Sequence, residues 1–221
     1  MRRLLVLRPE PGASTTLKRA VQRGLDAFAV PLFEIEPIEW QAPQTGDFDG
    51  LLLTSANAVT SAGEALARLQ HMPVFAVGDA TAEAARKSGF SIAAIGAGGV
   101  DRLLASIGGQ PKLLHLCGED RVTPHDPAAQ ITPVPVYRAK PVPNPDLGAA
   151  PGAVALVHSA RAGRRFAELA ADRSSIAVAA ISRAAAEAVD SGWAEVEFAA
   201  EPTDDALLAL AARLCNKPPL G

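Results

Sequence analysis

The strongest constraint on the fold is an internal repeat with a constant spacing of 104 residues. Four blocks in the first half match blocks in the second half at this spacing: Leu53–Ala58 with Val157–Ala162, Ala76–Ala84 with Ala180–Ala188, Val30–Phe33 with Val134–Tyr137, and Leu103–Leu104 with Leu207–Leu208. Several matches at one spacing are typical of a duplicated structural unit. The chain is therefore interpreted as two copies of one unit in tandem.

Short apolar runs of strand length recur along the chain, and most are followed by Ala-rich or Leu-rich stretches at helical spacing. Nine such runs predict strands: Leu4–Leu7, Ala27–Val30, Gly50–Leu53, Val74–Val77, Ile92–Ile95, Lys112–Leu116, Ala153–Val157, Ile176–Ala180 and Glu195–Phe198. The runs lack inside/outside alternation, which is typical of strands buried on both faces of a parallel sheet. The predicted class is α/β, with parallel sheets covered by helices on both faces in three-layer, flavodoxin-like lobes.

Two proline-flanked segments, Pro31–Trp40 and Thr132–Val142, interrupt this rhythm. They mix β-forming residues with proline and charge, which suits strands at a sheet edge, and their pairing would give a two-stranded β-ladder. The predicted organisation is a discontinuous first lobe, connector strands, a second lobe, a cleft between the lobes and a frayed tail that begins near Asn216. The first lobe would comprise residues 1–32 plus 150–216, and the second lobe residues 46–131. The connector strands would lie within 33–45 and 132–149, and the tail would comprise 217–221.

Composition narrows the classes of partner. Of 221 residues, 48% are hydrophobic and 20% charged, as expected for a folded globule, and the net charge of −3 comes without a basic stripe for nucleic acid. Cys117 and Cys215 lack metal-ligand spacing, which indicates a reducing compartment and a cytoplasmic protein. The apolar stretch after the Arg2-Arg3 pair has four residues, too short for a signal peptide or a membrane span.

Four predicted turns join a strand to the following helix with small or hydroxylated residues. They are Thr54-Ser55-Ala56-Asn57, Gly78-Asp79-Ala80-Thr81, His158-Ser159-Ala160-Arg161 and Ser182-Arg183-Ala184-Ala185. Helix N-termini at the carboxyl ends of parallel strands attract anions such as carboxylates. Helix capping explains the same residue types, so the pattern leaves both roles open.

Other candidate motifs indicate structure rather than chemistry. Gly96–Gly99 lacks the Lys-Ser/Thr of a phosphate loop and is interpreted as a turn. The histidines His71, His115, His125 and His158 have no ligand spacing, and no metal is assigned. Asp204-Asp205 sits at a helix start, where capping and the helix dipole account for both carboxylates.

The order of several motifs resembles that of the uroporphyrinogen-III synthase family over nearly the whole chain. The motifs are Leu7-Arg8-Pro9, Leu53–Val59, Val77–Ala82, Val134–Arg138, His158–Arg161, Ala180-Ile181 and Pro202-Thr203. The resemblance implies two α/β lobes joined by a β-ladder, an active site in the cleft, no cofactor and a monomer. It also implies a carbon–oxygen lyase of heme and tetrapyrrole biosynthesis that dehydrates and cyclises hydroxymethylbilane with inversion of ring D. The substrate would come by transient handover from the preceding pathway enzyme, with neither nucleic acid nor membrane as partner.

The resemblance also implies roles for particular residues. Tyr137, the only tyrosine, matches the family's active-site tyrosine and is expected to donate to the departing hydroxyl; an interlobe packing role explains its position equally well. Thr81 matches a threonine that contacts substrate. The family's Gly-Pro-Thr-Thr is replaced here by Ser182–Ala185, which removes two hydroxyls, although Arg183 can compensate. The arginines expected to bind carboxylates are Arg8, Arg138, Arg161 and Arg183.

Two other classes of protein share this architecture. A non-enzymatic, two-lobed protein that binds polycarboxylates remains open from sequence alone. A cofactor-independent racemase would need one cysteine at the equivalent strand end of each half, whereas Cys117 and Cys215 are 98 residues apart.

Overall fold

The computed structural model describes residues 1–96, 99–120 and 129–217. The chain divides into two compact units. Unit 1 comprises Met1–Glu34 and Pro141–Gly221, and unit 2 comprises Ile35–Lys140. Residues 97–98 of the predicted glycine turn, His125, and residues 218–221 of the predicted tail lie outside the described residues.

Strands and helices alternate along most of the chain. The strands are β1 (Leu4–Val6), β2 (Ala27–Ala29), β3 (Phe33–Pro37), β4 (Gly50–Leu53), β5 (Val74–Val77), β6 (Ile92–Gly96), β7 (Lys112–Gly118), β8 (Gln130–Pro141), β9 (Val154–Val157), β10 (Ala177–Ala180) and β11 (Glu195–Phe198). The helices are α1 (Gly12–Gln22), α2 (Ala56–Ser61), α3 (Asp79–Lys87), α4 (Val100–Ile107), α5 (Ala160–Leu169), α6 (Arg183–Glu187) and α7 (Asp204–Asn216). Short 3₁₀ segments cover Thr45–Asp47, Gly63–Leu69 and Arg173–Ser175. All nine predicted strands are present.

The strands form two mostly parallel sheets. The first has the order β11-β10-β9-β1-β2, and every neighbouring pair is parallel. The second has the order β3-β8-β7-β4-β5-β6, and its pairs from β8 to β6 are parallel. Strand β3 runs antiparallel to β8, because Ile38 N–H donates to Val136 O at 3.0 Å while Val142 N–H donates to Leu32 O at 3.0 Å. The predicted α/β class is confirmed.

The duplication is visible in the strand orders. Strands β4 and β9 lie in the middle of their sheets, and each is followed outwards by its next two strands in sequence. Their other neighbours, β7 and β1, are each followed outwards by the next strand in sequence, β8 and β2. Each copy of the repeat therefore supplies its first strands to one sheet and its last three to the other.

Apolar packing on both faces stabilises each sheet. In unit 2, Leu51 and Leu53 join one buried cluster, whereas Leu52 lies on the opposite face in another cluster with Leu103 of α4. In unit 1, one face of β1 and β9 packs on α1 and α7, and α5 and α6 contact β9 and β10. Burial of this kind is the main source of folding free energy.

Three sequence expectations are wrong in detail. The edge strands β6 and β11 alternate between partly buried and more exposed residues, because helices cover an edge strand incompletely. The second proline-flanked segment was expected at an edge, but β8 has a neighbour on each side, β7 and β3. Asn216, expected to fray, ends α7, and its Nδ2 donates to Ala212 O at 2.9 Å.

Within the described residues, no helix has both the length and the apolar character required to span a bilayer.

Candidate functional site

The structure places the predicted site residues in two groups, one in each unit. In unit 2, α2 and α3 begin at the carboxyl ends of β4 and β5, which are neighbouring parallel strands. The turns Ser55–Asn57 and Gly78–Thr81 therefore lie at one edge of the sheet. This is the edge at which parallel sheets bind ligands.

Ser55 caps α2 and also contacts the only tyrosine. Its backbone is extended (φ −151°, ψ 140°), and its Oγ accepts a hydrogen bond from Asn57 N–H at 3.2 Å. The Ser55 hydroxyl also lowers the pKa of the Tyr137 phenol. One serine thus links the start of a helix to Tyr137.

Tyr137 lies on β8, and its ring packs against the end of β7. Its partner across the strands is Gly118. Burial raises the pKa of the Tyr137 phenol, and this outweighs the bond from Ser55, which favours the phenolate; Cys117 adds to the rise. The phenol therefore holds its proton at neutral pH.

The start of α3 is built on a glycine. Gly78 has φ +80°, a conformation that side-chain-bearing residues rarely adopt, and its N–H donates to Gly96 O at 3.0 Å. Asp79 and Ala80 follow in the first helical turn. Thr81 is 4% exposed, so its side chain presents little surface, and its contact with substrate stays a prediction.

Sequence reasoning missed His115 and Gly118 in unit 2. His115 is buried on β7, and its Nε2 is 3.0 Å from Thr54 Oγ1 at the end of β4. Gly118 ends the same strand under the tyrosine ring. A glycine at the end of an apolar strand indicates that another group packs closely against the backbone there. The sequence could have given that indication, but only the fold shows that the group is the Tyr137 ring.

Arg138 lies apart from Tyr137, because successive residues of a strand face opposite sides of a sheet. Its Nε donates to Glu36 Oε2 at 3.1 Å, and Lys140 Nζ donates to Glu36 Oε1 at 2.9 Å. Hydrogen bonds from Lys140 and Arg138 lower the pKa of Glu36. Arg138 is thus part of an exposed charge cluster along the β3–β8 pair.

Unit 1 holds a cluster of charged and polar side chains around Asp204. Its carboxylate contacts His158 Nε2 at 3.0 Å, Arg8 at 3.4 Å, Arg19 at 2.9 Å and the Thr16 hydroxyl at 3.5 Å. The Arg8 guanidinium also donates to Thr16 Oγ1 at 3.4 Å. The cluster joins the ends of β1 and β9 to the starts of α1 and α7, so Arg8 and His158 have an intramolecular partner.

Burial and neighbouring charges lower the pKa values of Asp204, His158 and Arg8 in this cluster. Burial alone would raise the pKa of Asp204, but the bond from His158 and the charges of Arg8 and Arg19 hold it below its usual value. Burial lowers the pKa of His158 more than Asp204 raises it. Burial also lowers the pKa of Arg8. Asp204 is therefore an anion near neutral pH beside a largely neutral imidazole.

The two helix starts of unit 1 combine a serine cap with an arginine stacked on a phenylalanine. Ser159 Oγ accepts from Ala162 N–H at 3.1 Å, and Ser182 Oγ accepts from Ala185 N–H at 3.3 Å. The stacked pairs are Arg161 over Phe33, with 4.5 Å from Cζ to the ring centre, and Arg183 over Phe198, at 4.8 Å. Ala160 and Ala184 occupy the same first turns. Each stacked ring orients a guanidinium that carboxylates can bind.

No cluster of three or more His, Cys, Asp or Glu side chains suited to a metal ion occurs among the described residues. Cys117 is buried on β7 and Cys215 is buried in α7. The two cysteines thus lie on different kinds of element. This does not fit the matched strand-end cysteines of a racemase.

The fold and these groups define a class: a duplicated α/β protein with helix starts at the strand ends of both units and stacked arginines at two of those in unit 1. The family model for uroporphyrinogen-III synthase HemD matches residues 14–209. The chain belongs to the uroporphyrinogen-III synthase family.

Individual relatives agree with this assignment. A uroporphyrinogen-III synthase from Chlorobaculum parvum is 34% identical over 101 residues, and the match spans 42% of this chain and 41% of that protein. The crystal structure of uroporphyrinogen-III synthetase from Helicobacter pylori 26695 superposes with a TM-score of 0.63 at 18% identity, covering 97% of this chain and all of that chain. A mutant uroporphyrinogen-III synthase from Thermus thermophilus has a TM-score of 0.52 at 16% identity with the same coverage. These structures support the fold.

Proposed function

We propose that the chain is a uroporphyrinogen-III synthase, a carbon–oxygen lyase that converts hydroxymethylbilane to uroporphyrinogen III. Family membership supports this function. The observation that carries the proposal is Tyr137, a partly buried phenol that is protonated at neutral pH and whose ring packs against Gly118 at the end of β7. Such a phenol can act as a general acid by donating its proton to the departing hydroxyl.

The first chemical step is loss of water from the terminal hydroxymethyl group. The carbon–oxygen bond breaks, its electrons leave with the oxygen, and the Tyr137 phenol donates the proton that completes the water molecule. The resulting azafulvenium cation is attacked by the substituted carbon of ring D, which gives a spiro intermediate. Ring D inverts when this intermediate opens and closes again, and the proton released on ring closure restores the phenol.

Unit 1 contributes cations for the carboxylates of the substrate. Hydroxymethylbilane carries eight carboxylates, whereas the protein has a net charge of −3, so local groups must supply the attraction. We assign this role first to Arg161 and Arg183, each stacked on a phenylalanine. Arg8 and His158 act with Asp204 to hold the neighbouring strand ends.

The remaining expectations belong to the same proposal. The protein acts as a monomer in the cytoplasm, with substrate handed over transiently by the preceding enzyme of the pathway. Neither a cofactor nor a nucleic acid or membrane partner is required by the acid chemistry described above.

The decisive experiment uses freshly prepared hydroxymethylbilane. The purified chain is incubated with it, the products are oxidised, and the type I and type III isomers are separated by chromatography. The proposal predicts mainly type III, because uncatalysed closure gives type I. Type I alone would overturn it and favour a polycarboxylate-binding protein.

A further inference from the structure

The ring of Tyr137 lies directly against the backbone of Gly118. A methyl group at Gly118 would lie 2.9 Å from Tyr137 Cζ, 3.0 Å from Cε2 and 3.1 Å from the hydroxyl oxygen. The first contact is shorter than real side chains show and the other two are tighter than most, so the end of the ring would have to shift. All three atoms belong to the hydroxyl-bearing end of the ring.

The clash cannot be relieved by a backbone movement without breaking the sheet. Gly118 pairs with Tyr137 directly after a register shift between Cys117 and Gly118. Just beyond, Glu119 N–H donates to Tyr137 O at 2.8 Å. Because the two backbones are tied at this point, an added methyl would displace the phenol instead.

The glycine is not required by its own backbone conformation. Gly118 lies outside the positive-φ region in which nine other described glycines are found. Alanine therefore suits the backbone at this position, and its cost is limited to the contact with the ring. This separates the role of Gly118 from that of Gly78, where the turn itself needs glycine.

We propose that Gly118 is a positioning residue for Tyr137, because the missing side chain leaves room for the hydroxyl-bearing end of the ring. Its catalytic effect rests on the proposed function, in which that hydroxyl donates the proton. Misplacement of a reacting group lowers turnover strongly.

The first test measures turnover with hydroxymethylbilane. Gly118→Ala should lower kcat about tenfold or more, whereas Gly46→Ala, at a glycine with open space and no positive φ, should leave it unchanged. In the Tyr137→Phe background, Gly118→Ala should cause no further loss, because the hydroxyl it acts through is gone. If the double variant instead lost kcat by the product of the two separate effects, Gly118 would act independently of the hydroxyl, which would contradict a positioning role.

The second test needs no enzymatic activity. Since Tyr137 is the only tyrosine, the ultraviolet absorbance of the phenolate reports its titration without interference. Burial raises the pKa of Tyr137, so Gly118→Ala should lower it by moving the hydroxyl-bearing end of the ring out of its partly buried position. Ser159→Ala, which removes the matched cap in unit 1, should leave the titration unchanged.

The two tests separate the possible failures. If the wild-type chain makes no type III product, the proposed function fails, while the titration still decides the position of the phenol. A titration that is unchanged in a folded Gly118→Ala variant would overturn the inference. If Gly118→Ala does not fold, as judged by circular dichroism, its combination with Tyr137→Ala, which removes the ring, should fold; a double variant that also fails to fold would overturn the inference.

Discussion

The strand-end groups of the two units occupy matched turns but differ in chemistry. In unit 2 the turns present Ser55, Gly78 and the acidic Asp79, with a protonated Tyr137 beside them. In unit 1 the matched turns present Ser159 and Ser182, followed by arginines stacked on phenylalanines. The duplication has kept the turn positions and changed the charge. Under the proposed function, the proton donor lies in unit 2 and the arginines assigned to carboxylate binding lie in unit 1.

The caps show how the same turn is built in two ways. Ser182 has an extended backbone (φ −154°) and caps α6 with its hydroxyl, whereas the matched Gly78 has φ +80° and no side-chain cap. At the other matched pair, both Ser55 and Ser159 are extended and both accept from a backbone amide. Position alone therefore does not fix the conformation of a repeat.

The largest expected effect is on the stability of unit 1. Asp204→Ala removes the partner shared by Arg8, Arg19 and the buried His158. Loss of one member of a partly buried ionic cluster leaves the others poorly compensated, so we expect unfolding to become easier by about 3 kcal/mol. Urea denaturation measures the change.

Asp205→Ala is the matched control for this variant. Asp205 follows directly in α7 and pairs with Arg19 and Arg23, but its side chain is 66% exposed. Exposed ion pairs contribute less than about 1 kcal/mol. An equal loss of unfolding free energy in Asp204→Ala and Asp205→Ala would show that the burial of Asp204 does not increase the contribution of its ion pairs.

The next effect is on substrate binding through unit 1. Arg183→Ala removes the guanidinium stacked on Phe198 and should raise KM for hydroxymethylbilane about tenfold, with kcat little changed, because a charge-assisted bond to a carboxylate is lost. Arg164→Ala, at an exposed position of α5, is the control. Unchanged KM in Arg183→Ala would remove the assigned role.

A smaller effect concerns the helix caps. Ser159→Ala and Ser182→Ala each lose a hydrogen bond to a free backbone amide and should each lower the free energy of unfolding by about 1 kcal/mol. Gly78→Ser, which copies the unit 1 cap into unit 2, should instead destabilise, since serine does not suit φ +80°. Thermal unfolding distinguishes the two directions.

The smallest effect is a pH dependence of stability. Burial lowers the pKa of His158, so below about pH 6.5 the unfolded chain takes up this proton first and stability falls. The lowered pKa of Asp204 adds a second loss as the pH falls below about 4. In His158→Gln the loss between pH 7 and 5 should shrink, while His71→Gln, at an exposed histidine, should behave as wild type. Denaturation midpoints across this range test it.

The sequence predicted the elements better than it predicted the site. Apolar runs located nine of the eleven strands, because strand burial depends on local composition. The arrangement around Asp204 was missed, since its partners Arg8 and His158 are 196 and 46 residues away in sequence. The carboxylates at this helix start were attributed to capping and the helix dipole. Gly118 was missed for the same reason: its role depends on a ring that approaches from another strand.

The most direct test of the division between the units is the turnover of Tyr137→Phe. The variant loses only the phenol hydroxyl, and its circular dichroism and unfolding should show an intact fold. We predict that kcat for type III formation falls about tenfold or more while KM for hydroxymethylbilane stays close to wild type. A kcat equal to that of the wild type would contradict the assignment of the proton donor to unit 2.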